Sequence, residues 1–114
     1  MGVLDTIAAS FENRSRHYVD VPEWGADPEK PFRVWFKTPN AATLSAAEKE
    51  SEGDKYKFLA IIVGRMAQNE NETQMFNKLD WHDLMTRVSP DGLARVANAI
   101  LSYSKLDTKA AEKN

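Results

Sequence analysis

The sequence predicts an α+β fold that is mainly α, with an N-terminal short helix and a β-hairpin packed against three or four helices. Residues 32–37 alternate in character, with Phe32, Val34 and Phe36 on one face, which is the pattern of a half-buried strand. Beyond residue 40 the apolar residues recur at helical spacing, between residues that favour helix ends. Since a two-stranded sheet is marginal alone, we expect the helices to cover one face of the hairpin.

The N-terminal section is predicted to form a short helix and then the first strand of the hairpin. Helical i, i+3, i+4, i+7 spacing is shown by Leu4, Ile7, Ala8 and Phe11. Residues 18–21 favour a strand, and since Pro22 cannot donate to a ladder, this strand is either an edge strand or ends there. The loop of residues 25–31 is rich in Gly and Pro, so the two strands most simply form an antiparallel pair.

Two helices are predicted in the middle of the chain. The first begins either at Ser45, which has capping-box spacing to Glu48, or a turn earlier near Asn40, and it ends by residues 52–53. Asp54 is placed to cap the second helix. This second helix is expected to be the most buried one, because of the stripe formed by Leu59, Ile62, Val63 and Met66.

The second of these helices contains a glycine, and a polar stretch follows it. Gly64 is expected to let a neighbouring element pack closely, at a cost of about 1 kcal/mol in helix propensity. Residues 68–74 are wholly polar and predict an exposed loop, after which residues 75–76 return to the core.

Two further helices are predicted near the C-terminal end. Asp80 is expected to cap the first of them, with Asp83 three residues on. Ser89 and Pro90 then start the last helix as its N-cap and first residue. The apolar stripe of that helix is formed by Leu93, Val96, Ala97, Ile100 and Leu101.

The length of the chain favours a single domain, residues 1–114. We expect it to comprise an N-terminal helix (residues 1–16), the hairpin (17–38), a helical part (41–103) and a flexible tail (104–114).

Composition indicates a protein that binds or assembles other proteins and is not an enzyme. There are 15 Lys and Arg against 17 Asp and Glu, so the chain lacks the basic excess typical of nucleic-acid-binding proteins. Because there is no Cys, disulfides, thiolate ligands and cysteine nucleophiles are excluded. The longest apolar run, residues 58–63, is too short to cross a bilayer. We expect no membrane partner, no cofactor and no small-molecule substrate.

The residue types that usually carry catalysis are sparse. His17 and His82 are the two histidines, and no histidine spacing typical of a metal site is present. His82 lies between Trp81 and Asp83, so it forms either a hydrogen-bonded pair with the carboxylate or simply part of an exposed helix face. We therefore predict no catalytic and no metal-binding residues.

The hairpin region is crowded with aromatic residues. Trp35 lies between Arg33 and Lys37 on the face of the second strand that points away from the helices. Either it is an exposed binding residue within a basic frame, or it packs against Trp24 or the N-terminal helix. Stacking of single-stranded nucleic acid on these rings is a further option, which the acidic charge balance disfavours.

The order of these features resembles the tail assembly chaperones of long-tailed phages. The most distinctive piece is the Val-Asp-Val-Pro-Glu-Trp-Gly string at residues 19–25, followed by the strand at 32–37. The resemblance covers residues 17–102 and continues through the helices and the Met75-Phe76 segment. The chain differs from the family pattern in its longer, Pro-rich turn at residues 26–31 and in an Asn/Glu loop where many relatives have an Asp/Gly turn.

This resemblance implies a non-catalytic function in phage tail assembly. Such proteins bind the tape-measure protein and keep it soluble. They promote polymerisation of the major tail (tube) protein around it and are absent from the mature virion. The implied location is therefore the host cell cytoplasm. Self-association is also implied, through the strand edge near Val19 and Val21.

A surface that shields apolar helices suits methionine and aromatic side chains, because methionine adapts to varied partners. The residues expected to contact partners are Trp24, Arg33, Trp35, Lys37, Met66, Met75 and Met85. For any one of the methionines, filling the core is the alternative role. Two other functions remain open, namely another phage virion structural or connector protein and a small nucleic-acid-binding regulator.

Overall fold

Two strands and five α-helices form the part of the chain that the computed structural model describes, which is residues 2–12, 16–25, 27 and 29–103. They are α1 (Val3–Glu12), β1 (His17–Val21), β2 (Phe32–Phe36), α2 (Ala41–Ser51), α3 (Lys55–Met66), α4 (Trp81–Thr86) and α5 (Pro90–Ser102). Short 3₁₀ turns cover Pro22–Trp24 and Lys78–Asp80. The predicted α+β, mainly helical class is confirmed. The predicted tail, residues 104–114, lies outside the described residues.

The two strands pair in the antiparallel sense, as the sequence predicts. Val19 lies opposite Val34, and the pairing extends to Val21 opposite Phe32 at the loop end. The alternation holds for Val34 and Phe36, which are completely buried while Arg33 is exposed. Phe32, which was predicted on the same face, is 38% exposed at the loop end of the strand.

Helix α3 lies at the centre of the core, also as predicted. It contacts α2, α4 and α5, and α5 in turn contacts β1. The buried residues of α3 form an unbroken run, Leu59, Ala60, Ile61, Ile62, Val63 and Gly64. Gly64 faces the indole of Trp81, so the expected close packing at this glycine is confirmed.

Side-chain caps fix the starts of three helices. Asn40 accepts the Thr43 backbone N–H at 2.8 Å, so the earlier of the two predicted starts of α2 is the correct one. Asp54 and Ser89 cap α3 and α5 as predicted. Helix α2 ends where the backbone turns left-handed, at Glu52 (φ 50°) and Gly53 (φ 85°).

The start of α4 differs from the prediction. Asp80 makes no cap hydrogen bond, because a 3₁₀ turn precedes the helix and Asp80 is already in the helical region (φ −78°, ψ −15°). Asn77 is the cap instead. Its side chain accepts the Asp80 N–H at 3.2 Å, and the Asp80 carboxylate accepts the Asn77 N–H at 2.9 Å. The result is a reciprocal capping box one turn earlier than expected.

The packing of α1 also differs from the expectation. The helix forms where predicted, but it has no buried residue, and Leu4 and Ile7 are 77% and 60% exposed. Phe11 is half-buried at the end of the helix and lines a cleft with Lys37 and Met66. The core closes without α1: α5 contacts β1, and Val34 and Phe36 of β2 are buried in one cluster with residues of α3 and α5.

Candidate protein-binding surfaces

On the outer face of the hairpin, two guanidinium groups cover two aromatic rings. The Cζ of Arg33 lies 3.9 Å from the centre of the Tyr18 ring, and that of Arg16 lies 4.7 Å from the centre of the Trp35 ring. The two rings are 5.1 Å apart. Arg33 also donates from Nε to Oδ1 of Asp20 at 2.9 Å. This hydrogen bond holds the pKa of the Asp20 carboxyl below its ordinary value. The chain's own cations therefore occupy this face.

Trp35 is fixed from both sides. Its backbone N–H donates to Gln68 at 3.0 Å and its carbonyl accepts from Gln68 at 2.7 Å. The arginine over its ring, Arg16, donates to the carbonyl oxygens of Asn69 and Glu70 at 2.9 and 3.0 Å. Trp35 is consequently half-buried beneath Arg16 and a neighbouring loop, and its ring contacts that of Tyr18.

Four of the seven predicted partner-binding residues come together in one cleft. This hairpin cleft, of about 490 Å³, lies between the hairpin loop and residues 69–75 and is lined by Trp24, Arg33, Trp35 and Met75. The other three lie elsewhere. Lys37 and Met66 line a separate cleft beside Phe11, and Met85 is 38% exposed on α4.

A second and more apolar surface, the aromatic groove, lies between the hairpin and the α4–α5 corner. It consists of two adjoining hollows of about 360 and 460 Å³. Its apolar lining is Trp24, Phe32, Phe76, Leu84 and Val88, and its charged rim is Glu23, Asp80, Asp83 and Arg87. Of these nine residues, only Trp24 is among those predicted from the sequence to contact partners. The signal that could have indicated the groove was Phe76, a large aromatic residue that belongs to no helical apolar stripe.

The rings of the groove hold one another edge to face. The Trp24 ring lies 6.0 Å from that of Phe32 at 70° and 6.1 Å from that of Phe76 at 87°. Such edge-to-face pairs add about 0.5–1.5 kcal/mol each beyond the burial of their surface. Phe32 remains 38% exposed, so one wall of the groove is open to solvent.

Helix α5 anchors the tryptophan of the groove. The indole of Trp24 lies against Gly92, where an added Cβ would be 2.8 Å from its Cδ1 atom. The preceding residue, Glu23, accepts hydrogen bonds from Arg95 at 2.7 to 3.1 Å. These bonds hold the pKa of the Glu23 carboxyl below its ordinary value. The 3₁₀ turn is therefore attached to α5 by both packing and charge.

The outer edge of β1 is free among the described residues. Since the backbone of Trp35 pairs with Gln68, its hydrogen-bonding groups point away from β1. Tyr18 lies opposite Trp35, so its backbone N–H and C=O also point away from the partner strand. Along an antiparallel pair, residues whose backbone groups point outward alternate with residues whose groups bond the partner strand. The outward groups of β1 are therefore those of Tyr18 and Asp20, one residue removed from the two valines that the resemblance implies.

The histidines take structural or surface positions. His17 stacks on Tyr103 with ring centres 3.7 Å apart. His82 is exposed on α4. Within the described ranges, no three His, Cys, Asp or Glu side chains are grouped so that they could hold a metal ion. In the same part of the chain, no helix combines the length and apolar character needed to cross a membrane.

Fold and surfaces together define a small, mainly helical α+β protein with open clefts beside an aromatic hairpin. Comparisons with protein-family models, with curated proteins and with solved structures found no match.

Proposed function

We propose that this chain is a tail assembly chaperone of a long-tailed phage, which binds the tape-measure protein and promotes tail tube assembly without catalysis. The resemblance over residues 17–102 suggests the class. The observation that carries the proposal is the aromatic groove, an open apolar surface held in place by α5. Grooves of this kind bind the apolar faces of helices, and a tape-measure protein is a long helical chain that needs such shielding.

Co-expression with the tape-measure protein of the same genome tests the proposal. We expect the tagged chain to retain the tape-measure protein on an affinity column and to increase its soluble fraction. Phe32→Ala in the groove should weaken retention, whereas Tyr56→Ala should not, since Tyr56 is an exposed ring (53%) outside the groove. If the wild-type chain retains no tape-measure protein and leaves it insoluble, the proposal fails.

The proposed location is the host cytoplasm, with the protein absent from the finished virion. A virion structural or connector protein with the same small fold would remain in the particle. Mass spectrometry of purified virions separates these two functions, because stoichiometric recovery of the chain from particles contradicts the chaperone assignment. Retention on DNA that falls with added salt would instead favour a nucleic-acid-binding regulator.

Self-association and binding of the tube protein complete the proposed role. The outward backbone groups of Tyr18 and Asp20 give β1 an edge to which a strand of a second copy can be added. Sedimentation velocity over a wide concentration range tests this. A chain that stays monomeric at the highest concentrations, with and without the tape-measure protein, contradicts the edge pairing.

A further inference from the structure

We infer that the aromatic groove binds an amphipathic helix whose apolar ridge is bordered by lysine or arginine at the α4 end of the groove. This inference rests on the proposed function, because it specifies which segments of the tape-measure protein the chain binds. The two hollows share walls formed by Phe76, Leu84 and Val88. Side chains one turn apart on a helix are about 5–6 Å apart, which suits two adjoining hollows.

The groove also has the composition of a protein-binding surface. Trp24 and Phe76 are half-buried and Phe32 is 38% exposed, so three rings present apolar area in one place. Rings that are held by their neighbours lose little freedom when a partner covers them. A ridge of leucine-like side chains therefore finds a preformed site.

Charge on the rim selects among amphipathic helices. Glu23 is already balanced by Arg95. Among the described residues, the Asp80 carboxylate accepts a hydrogen bond from the backbone N–H of Asn77 and pairs with no cation. Asp83 has no ion-pair partner among the described residues.

No basic residue within the described ranges forms an ion pair with these carboxylates. Lys78, on the same turn as Asp80, has its Nζ 5.9 Å from the centre of the Trp81 ring instead. Arg87 is the one described cation that lines the groove, and it makes no side-chain ion pair with a described residue. The α4 end therefore carries two carboxylates, Asp80 and Asp83, that form no ion pair with a described residue, against the one cation Arg87. A basic helix flank would balance them.

The same charges argue against two other occupants. Helix α1 of a second copy also presents an exposed apolar face, but its charged residues are Asp5 and Glu12. It would bring carboxylates to a rim that is already acidic. A nucleic acid would bring phosphates to the same rim.

Designed helical peptides of about 20 residues test the inference, since shorter ones are marginal helices in water. Three peptides are compared. Two have the same leucine ridge, with lysine flanks in one and glutamate flanks in the other. The third has the composition of the lysine peptide but a scrambled ridge. We expect fluorescence anisotropy at low salt to show about three- to tenfold tighter binding of the lysine peptide than of the glutamate peptide. The scrambled peptide should bind weakly, and added salt should reduce the preference.

Protein variants locate the binding. Asp83→Lys should reverse the preference between the lysine and glutamate peptides. The matched control is Asp91→Lys, because Asp91 is also an acidic residue in the first turn of a helix but does not line the groove. Phe32→Ala should weaken binding of the lysine peptide, while Tyr56→Ala should leave this binding unchanged. Circular dichroism confirms that each variant is folded.

Several results would overturn the inference. They are equal binding of the two flanked peptides, equal effects of the two aspartate variants, or tight competition by a peptide of residues 2–12, which would point to a second copy as occupant. Failure of the proposed function is distinguishable. If the lysine peptide binds as expected but the tape-measure protein is not retained, the groove assignment stands and the chaperone assignment fails. If wild type and Asp83→Lys retain the tape-measure protein equally, the preference for a basic helix flank is wrong while the chaperone assignment stands.

Discussion

Replacing Gly64 by alanine is the sharpest test of how the core is assembled. Gly64 lies in the last turn of α3, and a Cβ there would be 2.9 Å from Cε2 of the Trp81 indole and closer still to Nε1 and Cδ1. Real Cβ atoms do not approach other atoms so closely, so either the ring or the helix must move. The ring has little room, because the guanidinium of Arg65 lies 5.3 Å from its centre and its Nε1 atom is fully buried.

The expected cost follows from two opposing terms. Overpacking of a rigid site costs about 1–3 kcal/mol, and the upper end applies because an aromatic ring is displaced. Alanine in a helix interior is favoured over glycine by about 1 kcal/mol. We therefore expect Gly64→Ala to lower the free energy of unfolding by about 2 kcal/mol, which corresponds to a fall in Tm of about 8 °C for a chain of this size.

Urea denaturation of four proteins measures this cost. They are the wild type, Gly64→Ala, Trp81→Ala and the double variant. Without the indole the clash is gone, so Gly64→Ala should stabilise the Trp81→Ala protein by about 1 kcal/mol. The interaction free energy of the cycle is then about 3 kcal/mol. If Gly64→Ala stabilises the wild type, or if its cost is the same in both backgrounds, the Trp81 indole does not limit the space at this position.

Three further predictions concern the groove, the start of α4 and the surface ion pairs. Gly92→Ala places a Cβ 2.8 Å from Cδ1 of Trp24 and should cost about 1–3 kcal/mol in urea unfolding. Asn77→Ala removes one half of a capping box and should cost about 1 kcal/mol, measured in the same way. Asp20 and Glu23 have pKa values lowered from 3.8 and 4.5, so their stabilisation is complete at neutral pH. This stabilisation is lost as the pH falls below about 4.5 and then through the lower pKa values of the folded state. The reason is that the two carboxyl groups take up protons at a higher pH in the unfolded chain than in the folded one. We expect a small decrease in the urea midpoint there, which Asp20→Asn and Glu23→Gln together should remove.

Each of these predictions has a result that contradicts it. A Gly92→Ala protein as stable as the wild type would show that Trp24 is not held against α5. An Asn77→Ala protein that loses nothing, beside an Asp80→Ala protein that loses about 1 kcal/mol, would restore the cap predicted from the sequence. An unchanged acid midpoint in the Asp20→Asn, Glu23→Gln double variant would assign the pH dependence to other carboxyl groups.

The elements of the fold follow from local sequence because their signals are local. Alternation over residues 32–37 predicts β2, and Ser89 beside Pro90 predicts the start of α5. The error at α4 has the same origin. Asp80 and Asn77 are both good N-caps, and only the 3₁₀ turn between them decides that the earlier residue caps while the later one supplies the reciprocal carboxylate.

The surfaces could not be predicted in this way, because they depend on contacts between distant parts of the chain. Arg16 covers Trp35 while its hydrogen bonds reach across 53 and 54 residues. Glu23 and Arg95 are separated by 72 residues. One signal was present in the sequence. A glycine within a predicted helix indicates close packing, as was expected at Gly64. Gly92 is a second such glycine, and each of the two packs against a tryptophan ring.

The aromatic groove and the exposed apolar face of α1 differ in what binding a partner there would cost. The aromatic groove is preformed, because Trp24 is held by Gly92 of α5 and by its ring neighbours. Helix α1 has 10 residues and no buried side chain, and an isolated helix of that length is marginal in water. A partner that covers α1 must therefore also order it, whereas a partner in the groove gains its full contact at little conformational cost. Binding should thus begin at the groove, and deletion of residues 2–12 should leave peptide affinity for the groove within about twofold of wild type, since α1 supplies none of its walls.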